Sequence, residues 1–209
     1  VFWADCSKDE GYYNTADLTN VTAKNYAGNN DRFDAFFYAM EDYRVTGPFT
    51  EEITLKRPFG QMNIVTTDID EIPDADLKPT HVKVVFSELP TAFNAKSGAI
   101  TAYTKNVTYT APVINNSGDL SVDYILAGAD ESTLADFSVE FLYNGTSIAV
   151  NDNFKSIPVR RNYKTNISGN LLTKEGIFDI TVDPLFETPD IDIDYPELHA
   201  AFENGGSVT

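Results

Sequence analysis

Short runs of β-branched and aromatic residues, each closed by turn chemistry, recur through residues 51–187 and constrain the fold more than any other feature. In Glu52-Ile53-Thr54-Leu55-Lys56 and His81-Val82-Lys83-Val84-Val85-Phe86 the apolar residues fall on one side, as a sheet with one buried and one solvated face requires. Further strands are expected at 61–66, 99–103, 106–110, 121–126, 137–143, 147–150, 162–172 and 178–182. Between Phe141-Leu142-Tyr143 and Ser147-Ile148-Ala149-Val150, Asn144-Gly145 predicts a two-residue hairpin, because a type I′ turn needs positive φ at both central positions. Ser97-Gly98 and Ser117-Gly118 are weaker signals of the same kind. Eleven Tyr and fourteen Phe, among many Val, Ile and Thr, favour strands over helices. The spacing of strands and turns predicts one complete β-sandwich over 51–187.

Residues 1–50 are expected to be the C-terminal part of a preceding β-sandwich domain, which makes the fold class all-β with part of a second β domain at the N-terminus. Within them, Phe33, Phe36, Phe37 and Met40 match the i, i+3, i+4, i+7 template of a helix over Asp31–Met40, with Asp31 as N-cap. Residues 188–209 read as an acidic linker followed by a short helix. There Asp194-Tyr195-Pro196-Glu197 resembles a capping box before Leu198–Phe202, and Gly205-Gly206 stops the helix. Val1-Phe2-Trp3-Ala4 reads as the inside of a strand and Ser207-Val208-Thr209 as a strand cut short, so both ends are expected to lie within elements of a longer polypeptide.

Charge and motif content exclude several functions. Thirty-two Asp and Glu against fifteen Lys and Arg leave a net charge of -17, which repels a phosphate backbone, so no nucleic-acid partner is expected. The single Cys6 has no intramolecular disulfide partner, and two distant histidines, His81 and His199, do not supply a zinc site. No run approaches the roughly 18 apolar residues of a membrane helix, so no transmembrane span is expected. Cys6 follows Asp5 rather than an apolar run and a small residue, so a lipid anchor would belong to a part preceding Val1. G-x-S-x-G, H-E-x-x-H and P-loop motifs are missing, and an abundance of acids is not a geometry of two paired carboxylates. A non-enzymatic chain without catalytic residues, cofactor or metal is the expectation.

Asp190, Asp192 and Asp194 alternate on one side of an extended segment. An EF-hand loop counted from Asp190 would need Gly and Glu where Tyr195 and Ala201 stand, so a solvated acidic face is expected rather than calcium. Asp68, Asp70, Glu71, Asp74 and Asp76 are expected to form a polar loop or short helical turn. Sequons at Asn20, Asn106, Asn144 and Asn166 bear on function only in a eukaryotic secreted chain. Arg160, Arg161 and Lys164 form the one notable basic cluster. It reads either as edge-strand charge that discourages aggregation or as a contact for an acidic neighbour, such as the segment beyond Lys174, which has nine acids and no Lys or Arg.

Three segments carry a family resemblance. They are Val1-Phe2-Trp3-Ala4-Asp5 with Asp31-Arg32-Phe33-Asp34-Ala35-Phe36-Phe37 downstream, Leu55-Lys56-Arg57-Pro58-Phe59-Gly60-Gln61-Met62-Asn63-Ile64, and, most specifically, Pro158-Val159-Arg160-Arg161-Asn162-Tyr163-Lys164-Thr165-Asn166-Ile167-Ser168-Gly169-Asn170-Leu171-Leu172-Thr173. Together they resemble the fimbrillin-like surface proteins of Bacteroidales, the subunits and accessory proteins of type V pili. The resemblance implies transthyretin-like, Greek-key β-sandwich domains and an outer-membrane lipoprotein precursor. It also implies assembly by donor-strand exchange, in which an extended segment of one subunit completes an open groove in the next. Partners would be other pilus subunits or surface proteins, in the fimbrium at the cell surface.

On this reading Arg57, Asn63, Arg160, Asn162, Tyr163, Thr165 and Asn166 have structural roles, with Trp3 and Tyr163 in sandwich cores. Leu198 to Thr209 looks like the capping helix and first strand that lead into a right-handed parallel β-helix in some bacterial surface proteins. A competing expectation makes the tail after Glu187 a donor strand, with Ile191 and Ile193 filling alternate pockets of a neighbour. The expected function is a fimbrial subunit or pilus-associated adhesin. A second expectation is a carbohydrate- or host-ligand-binding surface module that does not polymerise, with Tyr12 and Tyr13 stacking on sugar rings. A third is an enzyme domain attached to a β-helix.

Overall fold

The computed structural model describes residues 1–5, 11–44, 46–48, 50–72, 74, 77–115, 117–173 and 177–183. Cys6, Asp76 and the segment 188–209, with the helix and the aspartate alternation expected there, lie outside the described residues.

Period-two patterning builds the larger sheet. β6 (His81–Asn94) buries Val82, Val84 and Phe86, while Lys83 turns outward to Glu140 on β10 (Phe137–Tyr143). β7 (Ala99–Pro112) returns antiparallel and pairs with β6 from His81↔Pro112 to Asn94↔Ala99. The other edge of β6 is shared by β10, from Phe86↔Phe137 to His81↔Leu142, and by β3 (Val21–Ala23), at Phe93 and Ala92. β11 (Thr146–Phe154) and β2 (Tyr13–Asn14) complete the six strands. Asn144 and Gly145 take φ of 47° and 84° in the turn between Tyr143 and Thr146, as the hairpin requires.

A second sheet has the order β14 (Ile177–Asp183), β13 (Lys164–Asn170), β5 (Phe59–Thr66), β8 (Asp119–Leu126). β13 and β5 run parallel and the other pairs antiparallel. Its inner residues Met62, Ile64, Leu120, Ile125 and Ile167 meet Val84, Phe86, Val139, Phe141 and Phe154 of the larger sheet in one buried cluster. Face-to-face burial of this kind defines an all-β sandwich; each such side chain contributes about 1.5–3 kcal/mol. Two short ladders flank it, β1 (Phe2–Asp5) with β4 (Ala35–Tyr38) and β9 (Ser132–Thr133) with β12 (Pro158–Val159).

Several sequence expectations need correction. No helix spans Asp31–Met40: a 3-10 turn covers Asp31–Phe33 and β4 follows. In β4 Ala35 and Phe37 are buried while Phe36 and Tyr38 are half-buried, and the backbone of Phe37 bonds both ways with Lys56. Pairing with β1 and Lys56 supplies the segment's backbone partners in place of the bonds within a short helix. Of Glu52–Lys56, Lys56 alone finds a backbone bridge, so the alternation there does not make a strand. The two strands expected at 99–103 and 106–110 are one, with Asn106 at φ 55° inside it.

The boundary expected at residue 50 does not separate two cores. Tyr13, Val21, Phe33, Ala35 and Phe37 pack with Phe59, Phe93, Ala95 and Leu126 in a second buried cluster, and Trp3 packs half-buried against it. The 160–164 cluster is not edge-strand charge either, because β13 lies between β5 and β14 and Lys164 is buried.

Candidate functional site

The family-like residues are placed by a turn ahead of β13. Asn162 takes φ 67° there, and its N–H donates to the Phe59 carbonyl at 2.7 Å. The Gln61 N–H donates to the Tyr163 carbonyl at 2.9 Å, so the two bonds set the parallel register that runs from Lys164↔Gln61 to Gly169↔Thr66. Asn63 and Asn166 stand opposite each other in that register, and Asn63 Nδ2 donates to Asn166 Oδ1 at 2.6 Å. The Thr165 hydroxyl donates to the Pro158 carbonyl at 2.7 Å. Arg160 lies 4.3 Å over the half-buried Tyr163 ring and donates from Nε to the Ala129 carbonyl at 2.9 Å. β5 passes this turn so closely that a Cβ on Gly60 would stand 2.7 Å from Val159 Cγ2.

Arg57 acts on a different element. Its Nε and Nη2 donate to the Asp34 carboxylate at 2.9 Å, and its guanidinium lies 4.7 Å over Phe36, which ties the approach to β5 to β4. All seven residues thus bond or stack within the fold. Tyr13 belongs to the core: it is 4% exposed, its hydroxyl donates to the Phe33 carbonyl, and it has no face to offer a sugar. Tyr12 is half-buried, with its ring 4.6 Å from that of Phe33.

The feature most open to a partner is the outer strand of the second sheet. Among the described residues β14 pairs with β13 alone. The register Gly169↔Phe178, Ile167↔Ile180, Thr165↔Val182 puts Phe178, Ile180 and Val182 on the face that carries the buried Ile167 and Thr165. The Phe178 ring meets Phe154 at 5.1 Å, whereas Ile180 and Val182 are each 37% exposed. Asp179, Thr181 and Asp183 alternate with them and face the other way. Among the described residues a core-facing apolar row therefore continues to the last strand of the sheet, a position that can take main-chain hydrogen bonds and alternate side chains from an extended segment.

Two buried carboxylates differ in their surroundings. Asp68 precedes a 3-10 turn at Ile69–Glu71 and accepts bonds from the Thr66 hydroxyl, the Thr173 N–H and hydroxyl at 2.7 Å each, and the Leu172 N–H at 3.2 Å. Burial pushes its carboxyl up, but these bonds outweigh it and hold the group below the usual carboxylate range. The group thus includes the short helical turn expected of it, with Asp68 fully buried at its start and Asp70 exposed within it. Asp123 on β8 accepts from the Tyr26 hydroxyl at 2.7 Å, the Tyr109 hydroxyl at 2.8 Å and the Ser121 hydroxyl at 3.0 Å. Here burial outweighs the hydroxyls, and the carboxyl is pushed up to about 6.

Neither acid was singled out in the sequence for this behaviour. An acid at an inward position of the strand Ser121-Val122-Asp123-Tyr124-Ile125 was the available signal for Asp123. No group of three or more His, Cys, Asp or Glu among the described residues is arranged to hold a metal ion. No described helix is long and apolar enough to cross a membrane.

An all-β sandwich, with β14 at one edge of its second sheet among the described residues, defines the class. Residues 1–206 match DUF6562, a family of unknown function, and the chain belongs to that family. No match is found among curated proteins. Part of the chain is similar to the solved structures of two candidate cell adhesion proteins. One, from Bacteroides uniformis, has 17% identity and a TM-score of 0.40 over 62% of this chain and 52% of that one. The other, from Bacteroides ovatus, has 12% identity and a TM-score of 0.36 over 63% and 47%. The chain spans about half the length of each.

Proposed function

We propose that this chain is a non-enzymatic module of a cell-surface protein of the fimbrillin type, a pilus subunit or pilus-associated adhesin that joins its neighbours by β-strand complementation. The β14 edge carries this reading. A strand laid beside β14 would pair along the edge that faces away from β13 and bury alternate side chains next to Ile180 and Val182. The sequence resemblance of segments 1–5 with 31–37, 55–64 and 158–173 to fimbrillin-like proteins supports it, and on this reading the protein would act in the fimbrium at the outer membrane with other pilus subunits as partners. The test is a denaturing gel of the protein extracted from its native cell surface, with and without boiling. A ladder that collapses to one band on boiling is expected; a single band under both conditions overturns assembly by strand complementation.

A groove of about 610 Å³, lined in part by Phe2, Met40, Tyr43, Glu51, Ile53 and Lys96, favours a second reading. Phe2 and Tyr43 are 53% and 45% exposed, so this groove, rather than Tyr13, offers aromatic faces for a carbohydrate- or host-ligand-binding module that does not polymerise. Saturable glycan binding that is lost in Tyr43→Ala, with a single unboiled band, would decide for it.

A further inference from the structure

Residues 24–30 form a strap that leads from β3 to the 3-10 turn and fastens the edge strand β7 of one sheet to the edge strand β8 of the other. Asn29 clasps both: its Nδ2 donates to the Pro112 carbonyl at 2.7 Å and the Leu120 carbonyl at 3.1 Å, and its Oδ1 accepts from the Val122 N–H at 2.6 Å. The Asn29 N–H donates to the Val122 carbonyl at 2.8 Å, so Asn29 occupies the backbone groups that Val122 presents on the outer edge of β8. Gly28 lies flat on Tyr109, where a Cβ would stand 2.1 Å from the hydroxyl oxygen. Tyr26 reaches between the sheets, with its ring near Phe33, Phe86 and Tyr109 and its hydroxyl on Asp123.

Asp123 is 0% exposed, and no cation is among its partners. The strap presents Tyr26, with Tyr13 beyond it; β7 presents Tyr109; β8 presents Ser121; β5 places Met62 opposite in register. Among the described residues, the titratable groups facing the carboxyl, Tyr26 and Tyr109, are themselves acids. Three hydroxyl donors compensate part of the cost of burying a charge, but no cation among the described residues neutralises it.

We propose that Asp123 is a proton-operated latch: protonated, it keeps the strap closed over the β7–β8 seam, and ionised, it loosens the strap and uncovers the Val122 backbone on the edge of β8. The sign follows from linkage. In the closed form burial raises the carboxyl to about 6, against an ordinary value of 3.8 once water reaches it. Closing is therefore strongest below pH 3.8, weakens as pH rises from there to about 6, and is level above that. Across the window the opening equilibrium grows on the order of a hundredfold.

The test uses the full chain, with a carbon-13 titration of the Asp123 carboxyl and hydrogen exchange at pH 4 and pH 7, expressed as protection factors to remove the intrinsic pH effect. The expected result is titration near 6, with Asn29 and Val122 losing on the order of a hundredfold in protection between the two pH values. At pH 7 they also exchange faster than Ile64 and Ile167, and the loss is absent in Asp123→Asn. Titration near 3.8, an equal loss in Asp123→Asn, or identical protection of strap and sandwich amides would overturn the latch. Should Asp123→Asn fail to fold, Tyr26→Phe serves: removal of a hydroxyl that favours the ionised form must raise the Asp123 midpoint, and an unmoved midpoint overturns the proposal.

Discussion

The core between the two sheets and the aromatic cluster at the β1–β4 end solve the same packing problem by different means. Between the sheets, strands of seven to fourteen residues supply continuous backbone pairing. Aliphatic side chains and Phe then need only fill the layer. At the β1–β4 end the strands are two to four residues long, and order comes from ring geometry and side-chain bonds instead. Phe37 meets Phe93 edge-on at 4.8 Å and Trp3 meets Tyr13 edge-on at 5.4 Å. Arg57 grips Asp34, while Arg161 lies 5.0 Å over Phe37 and donates to the Gly98 carbonyl. Where backbone pairing is long, side-chain identity is loosely constrained; where it is short, specific side chains carry the structure.

Large-to-small changes test this contrast most strongly. Phe141→Ala between the sheets and Phe33→Ala in the aromatic cluster should each cost about 3–5 kcal/mol, read from urea unfolding. Because Tyr26 packs against both clusters, each variant should still unfold in one transition. Two resolved transitions in Phe33→Ala would break the account of a shared unit. Gly28→Ala forces a methyl into Tyr109 at the strap that joins the regions, and a loss of about 1–3 kcal/mol with faster exchange at Asn29 is expected.

Asp34→Asn weakens the grip of Arg57 and should cost about 1–2 kcal/mol, because hydrogen bonds to charged groups are the stronger kind. The change should appear in near-ultraviolet circular dichroism of the aromatic rings, Trp3 and Tyr13 among them, more than in far-ultraviolet circular dichroism of the backbone. The smallest expected change is a pH effect. The Asp68 carboxyl is held below its ordinary value, so its contribution is present above about pH 4 and is lost as pH falls through its folded-state value. Asp68→Asn should therefore flatten the acid limb of the stability profile, the opposite sense to Asp123→Asn, which flattens the fall between pH 3.8 and about 6.

The same division explains what was legible in the sequence. β6, β10 and the Asn144-Gly145 hairpin declare themselves because alternation and turn chemistry are local. Asp31–Met40 misleads because Phe33, Phe36, Phe37 and Met40 satisfy a helical period while Ala35 and Phe37 satisfy a strand period. The choice falls to backbone partners on β1 and at Lys56, which are remote in sequence. The acid at position 123 is visible inside an apolar strand, but its partners Tyr26 and Tyr109 are brought to it only by the sandwich. Likewise the alternation of Phe178, Ile180 and Val182 is written in the chain, whereas their place on the last strand of the sheet, among the described residues, is a property of strand order. Residues Asn63 and Asn166 carry a resemblance in sequence, and their mutual bond depends on a parallel pairing that no local pattern specifies.

Strand complementation at β14 is the central claim, and Ile180→Asp tests it directly. The substitution puts a charge into the half-exposed end of the apolar row while leaving the buried clusters untouched. Wild-type and variant protein, extracted from the native cell surface, would be run unboiled on a denaturing gel beside a melting curve of each purified monomer. The account predicts a ladder for the wild type, a single band for Ile180→Asp, and closely similar melting temperatures. A ladder that persists in Ile180→Asp would contradict it.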